Sequence, residues 1–267
     1  MRAFDYHRPK TLKEAVSLLR KVQNAKALAG GQSLIPTLKL RLSGPAALVD
    51  LGAIEEMRGI GFNGGTLTIG ALARHAEVAA SRDVANSIPA LARLADGIGD
   101  RQVRNQGTIG GALAHNDPAA DYPAAVLGLG ATINTNKRAI AADKFFTGTF
   151  ETALRPGEII TSVSFPLPKR AAYVKFRQPA SRFAIVGVFV SEGIGNVRVA
   201  VTGAAGCVFR AKAMEKRLAE KFAPEAIAKV KIAPDDLNSD IHASAEYRAH
   251  LITVVAQRAV EAALAGK

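Results

Sequence analysis

Two glycine pairs carry the residues best placed for chemistry. The first is Gly30-Gly31 in "ALAGGQSLIP", residues 27–36. The second is Gly110-Gly111 in "NQGTIGGALAHNDPAADYP", residues 105–123. Glycine reaches positive φ and lets a ligand approach the main chain where a Cβ would stand in the way. Successive amides in such a turn converge on an anion, and a helix starting just after adds unpaired N–H groups and a positive dipole end. Each pair adjoins a hydroxyl residue, Ser33 or Thr108, and the ligand this suits best is a phosphate or pyrophosphate. A plain strand-to-helix turn is the competing reading of either pair alone. Asp117 and Asp121 follow the second pair and could accept from a ligand's hydroxyls, although Asp117 before Pro118 also suits a turn.

Other chemistries lack their residues. There is no G-x-G-x-x-G after a strand, no G-x-x-x-x-G-K-[ST] and no G-x-S-x-G. The histidines are His7, His75, His115, His242 and His250, with no H-E-x-x-H spacing among them. His115 lies beside the second glycine pair and reads as a positioning or spacer residue rather than an acid–base catalyst. His242 and His250 read as solvated positions on a polar helix. The single cysteine, Cys207, cannot form an internal disulfide or hold an iron–sulfur cluster, and reads as a small buried hydrophobe.

The elements around these residues follow from pattern. Thr11-Leu12-Lys13-Glu14 is a capping box opening a helix to about Val22. "AKALAG" and "AALVDL" read as buried strands on either side of a helical "LIPTLKLRL". "IGF" and "TLTIG" flank Asn63-Gly64-Gly65 as a hairpin. Helices are expected at Arg74–Ala80, Ile88–Ile98 and "DYPAAVLGL", and strands at "ATINTN" and "GEIITSVSFPL". Pro166 and Pro168 mark a boundary. Beyond it, "AAYVKFRQ", "FAIVGVFVSEG" and "VRVAVTGAAG" read as strands, followed by helices at Arg210–Phe222, Pro224–Val230 and Ala243–Ala265. The fold class is α+β, with a small α/β lobe at 1–55 and a larger α+β lobe at 56–167. A C-terminal α+β domain with a small antiparallel sheet and helices occupies 168–267.

Composition narrows the function classes. The 267 residues are 48% hydrophobic and 6% aromatic, with no tryptophan and a net charge of +12. The basic residues are dispersed and interleaved with acids, as in "RAKAMEKRLAEK". Without an aromatic platform, direct nucleic-acid binding is not expected. No signal peptide or membrane span is visible, and with one cysteine the expected location is cytoplasmic.

At this point "AGGQSLIPTLKLRL" and "QVRNQGTIGGALAHNDPAADYPAA", in that order, resemble the FAD-binding medium subunit of the molybdenum hydroxylases. That group includes aerobic carbon monoxide dehydrogenases and xanthine dehydrogenases. The resemblance extends over nearly the whole chain. It implies that Ala29, Gly30, Gly31, Gln32 and Ser33, flanked by Leu28 and Leu34, form the first FAD loop around the diphosphate. It implies that Thr108, Ile109, Gly110, Gly111 and Ala112 form the second. Asp121 matches an acidic contact to the flavin's sugar chain. Ile98 and Ile160 match apolar contacts to the cofactor, and Arg177 matches a basic position near it. Ala112 stands where the family usually has Asn, and Phe183 where some carbon monoxide dehydrogenases carry Tyr. The implied partners are a large molybdopterin-binding subunit and a small iron–sulfur subunit, with an external electron acceptor. The implied activity is electron transfer from the clusters through FAD. A self-contained flavoprotein oxidoreductase is the nearest alternative, and a non-catalytic nucleotide- or polyanion-binding protein is a more distant one.

Overall fold

The computed structural model describes residues 1–266. The chain opens with β1 (Asp5–His7), α1 (Leu12–Lys21), β2 (Ala25–Leu28), α2 (Leu34–Lys39) and β3 (Ala47–Asp50). The strands form a parallel sheet in the order β1-β3-β2. Central β3 has Ala47, Leu48 and Val49 buried. β2 is an edge strand with Lys26 and Ala27 exposed, so "AKALAG" is not the buried strand its composition suggests. The Thr11 hydroxyl caps α1 by accepting from the Glu14 amide. Glu14 reaches back one residue further than a capping box requires, to the amide of Lys10.

A second group follows, with β4 (Ile60–Asn63), β5 (Thr66–Gly70), α3 (His75–Ala80), α4 (Arg82–Ser87) and α5 (Pro89–Asp96). It continues with α6 (Arg101–Arg104), α7 (Ile109–His115), α8 (Tyr122–Leu129), β6 (Thr132–Thr135), β7 (Ala139–Ala141), β8 (Phe146–Gly148), β9 (Glu151–Thr152) and β10 (Ile160–Pro166). Five of its strands make one antiparallel sheet, β4-β5-β10-β6-β7. Gly64 and Gly65, at φ of 55° and 78°, form the two-residue turn between β4 and β5. Positive φ at both positions is what a twisted hairpin of this length demands.

The last group is β11 (Arg170–Arg177), β12 (Ala184–Gly193), β13 (Asn196–Thr202), β14 (Phe209–Arg210), α9 (Lys212–Glu220), α10 (Pro224–Ile227) and α11 (Ala245–Leu264). Its sheet is antiparallel in the order β11-β12-β13-β14, with α11 packed on β11 and β12. His242 lies in the turn before α11 and not on it. The expectation that it lies on a polar helix is therefore corrected, because its amide is turned to the Asp240 carboxylate ahead of the Ser244 cap.

α8 joins this group to the preceding one. Every residue of Tyr122–Leu129 is buried. A helix apolar on all sides must be covered on all sides, and α8 packs against β12 and β13 as well as its own group. Ser191 Oγ donates to the Gly128 carbonyl at 2.6 Å, and Arg198 Nε to that of Leu127 at 2.8 Å.

One buried ion pair fixes the approach to β10. Glu158 accepts from Arg138 Nε at 3.0 Å, the Thr135 hydroxyl at 2.8 Å and the Arg155 amide at 2.9 Å. The Arg138 guanidinium holds its carboxyl down at about 2. That stabilisation is present above the ordinary carboxylate range and is lost as pH falls toward 2. Glu158→Gln should lower unfolding stability at pH 7 by about 2 kcal/mol, the scale of hydrogen bonds to a charged group. Urea titration measures this, and the gap to the parent protein should close in acid.

Candidate functional site

The two glycine loops meet face to face. A Cβ on Gly30 would strike the Gln106 carbonyl and the Gly107 backbone. A Cβ on Gly111 would stand 3.6 Å from the Ala29 Cβ and 2.9 Å from the Thr108 hydroxyl. Gly31 has a φ of 73°, where an L side chain is strained. The four glycines therefore divide by role. Gly30 and Gly110 permit backbone packing, Gly110 lying against Ala71. A Cβ on Gly31 would crowd the Ile35 and Leu28 side chains at 3.0 and 3.2 Å, so Gly31 shapes its own turn, and Gly111 faces the other loop.

The amides divide in the same way. Among the described residues, the N–H groups of Gly31, Gln32, Ser33 and Leu34 find no partner within the chain. Helix α2 starts here without a side-chain cap, and the Ser33 hydroxyl does not close it. At the second loop the Ile109 and Gly110 amides donate to the Ala73 and Ala71 carbonyls at 3.1 and 2.9 Å. Thr108 Oγ1 accepts from Gly111 at 3.1 Å, and its carbonyl from Ala112 at 3.0 Å. The second loop shapes the cradle, and the first supplies its free donors. A site that takes a diphosphate needs both.

Asp121 sits behind this cradle, 6% exposed. Its carboxylate accepts from the Tyr173 hydroxyl and, at 2.8 Å, from Lys175 Nζ. Burial raises the Asp121 carboxyl above its usual range, with the Lys175 ammonium opposing the shift. Burial, reinforced by the Asp121 charge, pushes the Tyr173 phenol well up, so it stays a hydrogen-bond donor. Lys175 also donates to the Gly97 carbonyl at 2.9 Å, beside half-buried Ile98. Arg104 Nη1 takes the Ile98 carbonyl at 3.0 Å, and Arg182 Nη1 that of Gly99 at 3.1 Å. Three cations thus clamp three successive carbonyls around Ile98.

The sequence-predicted residues fall unevenly on this frame. Leu28, Ala29, Gly30, Gly31, Thr108, Ile109, Gly110, Gly111 and Ala112 lie at the two facing loops, with Gln32 and Ser33 exposed at the rim and Leu34 opening α2. Ile160 begins β10 in the core, 4% exposed. Arg177 is exposed at the end of β11, and its side chain has no ion-pair or hydrogen-bond partner among the described residues. The cation that reaches inward is Lys175, two residues earlier on the same face of the strand. Sequence reading passed over it, although the alternation Tyr173-x-Lys175 beside a buried Asp was a usable signal.

His75 was also missed as a site residue. It is 5% exposed, under the second loop. Its amide donates to the Gly107 carbonyl at 2.9 Å, and a Cβ on Gly107 would strike its ring. Its Nδ1 and the Tyr122 hydroxyl are both buried without a partner, their rings 5.3 Å apart. Burial, and secondarily the charge of Arg104, lower its pKa to about 4.

Comparison with known proteins decides the family. Residues 2–168 match the FAD binding domain in molybdopterin dehydrogenase, and residues 171–263 match the CO dehydrogenase flavoprotein C-terminal domain. The chain belongs to the FAD-binding medium subunits of the molybdenum hydroxylases. It is 35% identical to the carbon monoxide dehydrogenase medium chain of Hydrogenophaga pseudoflava, covering 98% of this chain and 97% of that one. It is 34% identical to the nicotine 6-hydroxylase medium subunit of Paenarthrobacter nicotinovorans, covering 97% and 96%. Among solved structures it superposes on quinoline 2-oxidoreductase from Pseudomonas putida 86 with a TM-score of 0.90 at 30% identity, over 99% and 98% of the two chains. As a member of this family the chain is an FAD-binding oxidoreductase subunit. The facing loops fit that cofactor, since the Gly31–Leu34 amides are free to donate and glycine at 30 and 31 permits the close approach and the positive φ of the first loop. No helix among the described residues is long and apolar enough to cross a membrane.

His75 makes the site's acid response testable. The neutral ring is tolerated in the folded state down to about pH 4, while the unfolded state takes up a proton below about 6.5. Stability should therefore fall as pH drops through that window, by about 3 kcal/mol at most. Urea unfolding of His75→Gln at pH 7 and pH 4.5 should show a shallower fall than the parent protein. An equal fall in both would remove His75 from the acid response.

Proposed function

We propose that this chain is the electron-transfer subunit of a three-part molybdenum hydroxylase. Its partners would be a large molybdopterin-binding subunit and a small iron–sulfur subunit, acting in the cytoplasm. When bound, FAD would supply the redox chemistry that links the partner's clusters to an external acceptor. The protein's part is to hold and orient it. The observation that carries this reading is the close approach of the two glycine loops, with four unpaired donor amides on the first.

In this reading the Gly31–Leu34 amides hold the diphosphate, with the dipole of α2 behind them. Thr108 fixes the start of α7, so that Gly111 faces Ala29. Asp121 accepts from the sugar chain while Tyr173 and Lys175 keep it in place. Ile98 and Ile160 pack against the ring, and Lys175, more than Arg177, is the nearby cation. Ala112 offers no side-chain hydrogen bond at the position where the resemblance implies Asn. The three sequence units, 1–55, 56–167 and 168–267, act as two cofactor-holding lobes and a C-terminal α+β domain. The need for partners is supported by the single cysteine, which leaves this chain without cluster ligands of its own.

Gly111→Val should empty the cradle of FAD while leaving most of the fold, because its Cβ meets only a hydroxyl and the Ala29 methyl. Gly30→Ala should lower the melting temperature even without cofactor, because its Cβ meets backbone. Full FAD occupancy in Gly111→Val, measured by absorbance after desalting, would overturn the loop assignment. Asp121→Asn should weaken FAD roughly ten- to a hundredfold, the scale of one charge-assisted hydrogen bond.

The net charge of +12 bears on assembly. Co-expression with the two partner chains should yield a hetero-oligomer on size exclusion. Its association rate should fall as salt rises, as electrostatic steering requires. Substrate-linked acceptor reduction by this chain alone would support a self-contained flavoenzyme instead.

A further inference from the structure

A cavity of about 550 Å³ opens between the segment that follows α10 and one face of α11. Residues 228–232 form one wall. Ala249, His250, Thr253, Val254 and Gln257 form the other, at a spacing that sets them on one stripe of the helix. The residues that α11 gives to the core, among them Ile252, Val255, Ala256 and Ala259, lie on a neighbouring stripe. Val230, Ile232, Ala249 and Val254 are thus left half-buried around an opening that the fold does not fill. No residue of the glycine loops, of β11 or of the β11–β12 loop lines it.

Charge sets the sign of the occupant. Lys229, Lys231 and His250 line the cavity, are exposed, and have no ion-pair or hydrogen-bond partner among the described residues. No carboxylate lines it. The acids nearest in the chain, Glu225, Asp235, Glu246 and Glu261, all lie outside the lining. The two remaining polar side chains are neutral. Thr253 Oγ1 donates to the Val230 carbonyl at 3.1 Å, and Gln257 Nε2 to the Pro224 carbonyl at 3.4 Å. These two bonds hold the segment against α11. The main chain at Lys231 and Ile232 has neither amides nor carbonyls paired with other main-chain groups, so it favours neither sign. Two ammonium groups and an imidazole then face no opposing charge, and an anion complements them. The walls decide the rest of the ligand. They are aliphatic, with no aromatic ring on which a flat molecule could stack.

We propose that this cavity binds a medium-chain aliphatic carboxylate. Its head lies among the Lys229 and Lys231 ammonium groups and the His250 ring, and its methylenes run along Val230, Ile232, Ala249 and Val254. The volume is that of a pocket for one small ligand. Burial of apolar chain supplies the affinity, and the unpaired cations select the anionic head. The site is built by the C-terminal domain alone and does not rest on the electron-transfer reading.

The test titrates the FAD-saturated full chain, labelled with nitrogen-15, with octanoate and follows the amide resonances. Saturable shifts are expected at residues 228–232 and on the lining stripe of α11. Decanoate should bind roughly tenfold more tightly than octanoate, the scale of burying two further methylenes. Octan-1-ol and octylammonium should each bind roughly tenfold more weakly than octanoate, the scale of losing one charge-assisted contact. The double variant Lys229→Gln/Lys231→Gln changes only exposed side chains. It should keep the melting temperature of the parent protein and lose the preference for octanoate over octan-1-ol. Val254→Glu, which sets a like charge in the aliphatic wall, should abolish binding. Absence of saturable shifts, or shifts centred elsewhere, overturns the site. Equal binding of octan-1-ol to the parent protein, or an unchanged octanoate affinity in the lysine variant, overturns the ligand class. Loss of octanoate binding on assembly with the partner chains makes the groove a subunit interface and overturns the proposal, as does binding to phosphatidylglycerol vesicles in place of octanoate. Octanoate binding by a chain that takes up no FAD counts against the cofactor reading and supports this site.

Discussion

The contact between Gly30 and the Gln106–Gly107 backbone is the constraint on which the site depends. The first lobe has a three-stranded parallel sheet with an exposed edge, too small to enclose a ligand alone. The second has its own five-stranded sheet. The two create a cradle only if their loops approach more closely than side chains allow, and only glycine permits that. Once Gly30 is docked, Gly111 faces Ala29, and the unpaired amides of the first loop face the same space. His75 supports the arrangement from beneath. Its ring fills the volume under Gly107, and its own amide holds the Gly107 carbonyl.

The second organising interaction runs through Asp121. Tyr173 and Lys175 come from β11, Asp121 precedes α8, and Gly97 belongs to the loop after α5. One buried carboxylate therefore ties the C-terminal sheet to the start of α8 and, through Lys175, to the loop after α5. Burying a carboxylate is costly unless its charge is compensated, and the Lys175 ammonium supplies that compensation. Lys175 then spends a second proton donor on the Gly97 carbonyl, which couples the position of Ile98 to the same pair. A change in β11 is thus transmitted to Asp121 and Ile98, the residues proposed to meet the cofactor.

Much of this was legible in the residues. The Asn63-Gly64-Gly65 turn, the Thr11 cap, the run "FAIVGVFVSEG" as a strand and the two glycine loops all follow from local chemistry. Such features depend on neighbours within a few positions. β1, of three polar residues, was not legible, because its pairing with β3 is decided 42 positions away in the chain. The exposed character of β2 was misread for a similar reason, since only sheet order makes it an edge. The short strands β7, β8 and β9 and the short helices α4 and α6 carry too few residues to show a period. At the site, glycine spacing located the loops, but it could not say which glycines pack on backbone and which face the ligand. Lys175 escaped notice because its importance comes from Asp121, 54 positions earlier.

The unequal treatment of the two loops explains why both are needed. A helix start with all its amides satisfied binds an anion through its dipole alone, which weakens within a turn. A loop of free amides binds more strongly, but it must be held in a conformation in which they do not find partners in the chain. The second loop provides that restraint. Its amides are spent on Ala71 and Ala73, which locks α7 to the end of β5 and gives the first loop a rigid wall. Rigidity in one loop thus preserves unsatisfied donors in the other, and those donors can then be satisfied only by a ligand or by water. The sequence marks of the two loops look alike, a glycine pair beside a hydroxyl residue, but the hydroxyl that caps its helix, Thr108, belongs to the loop that does not need the ligand.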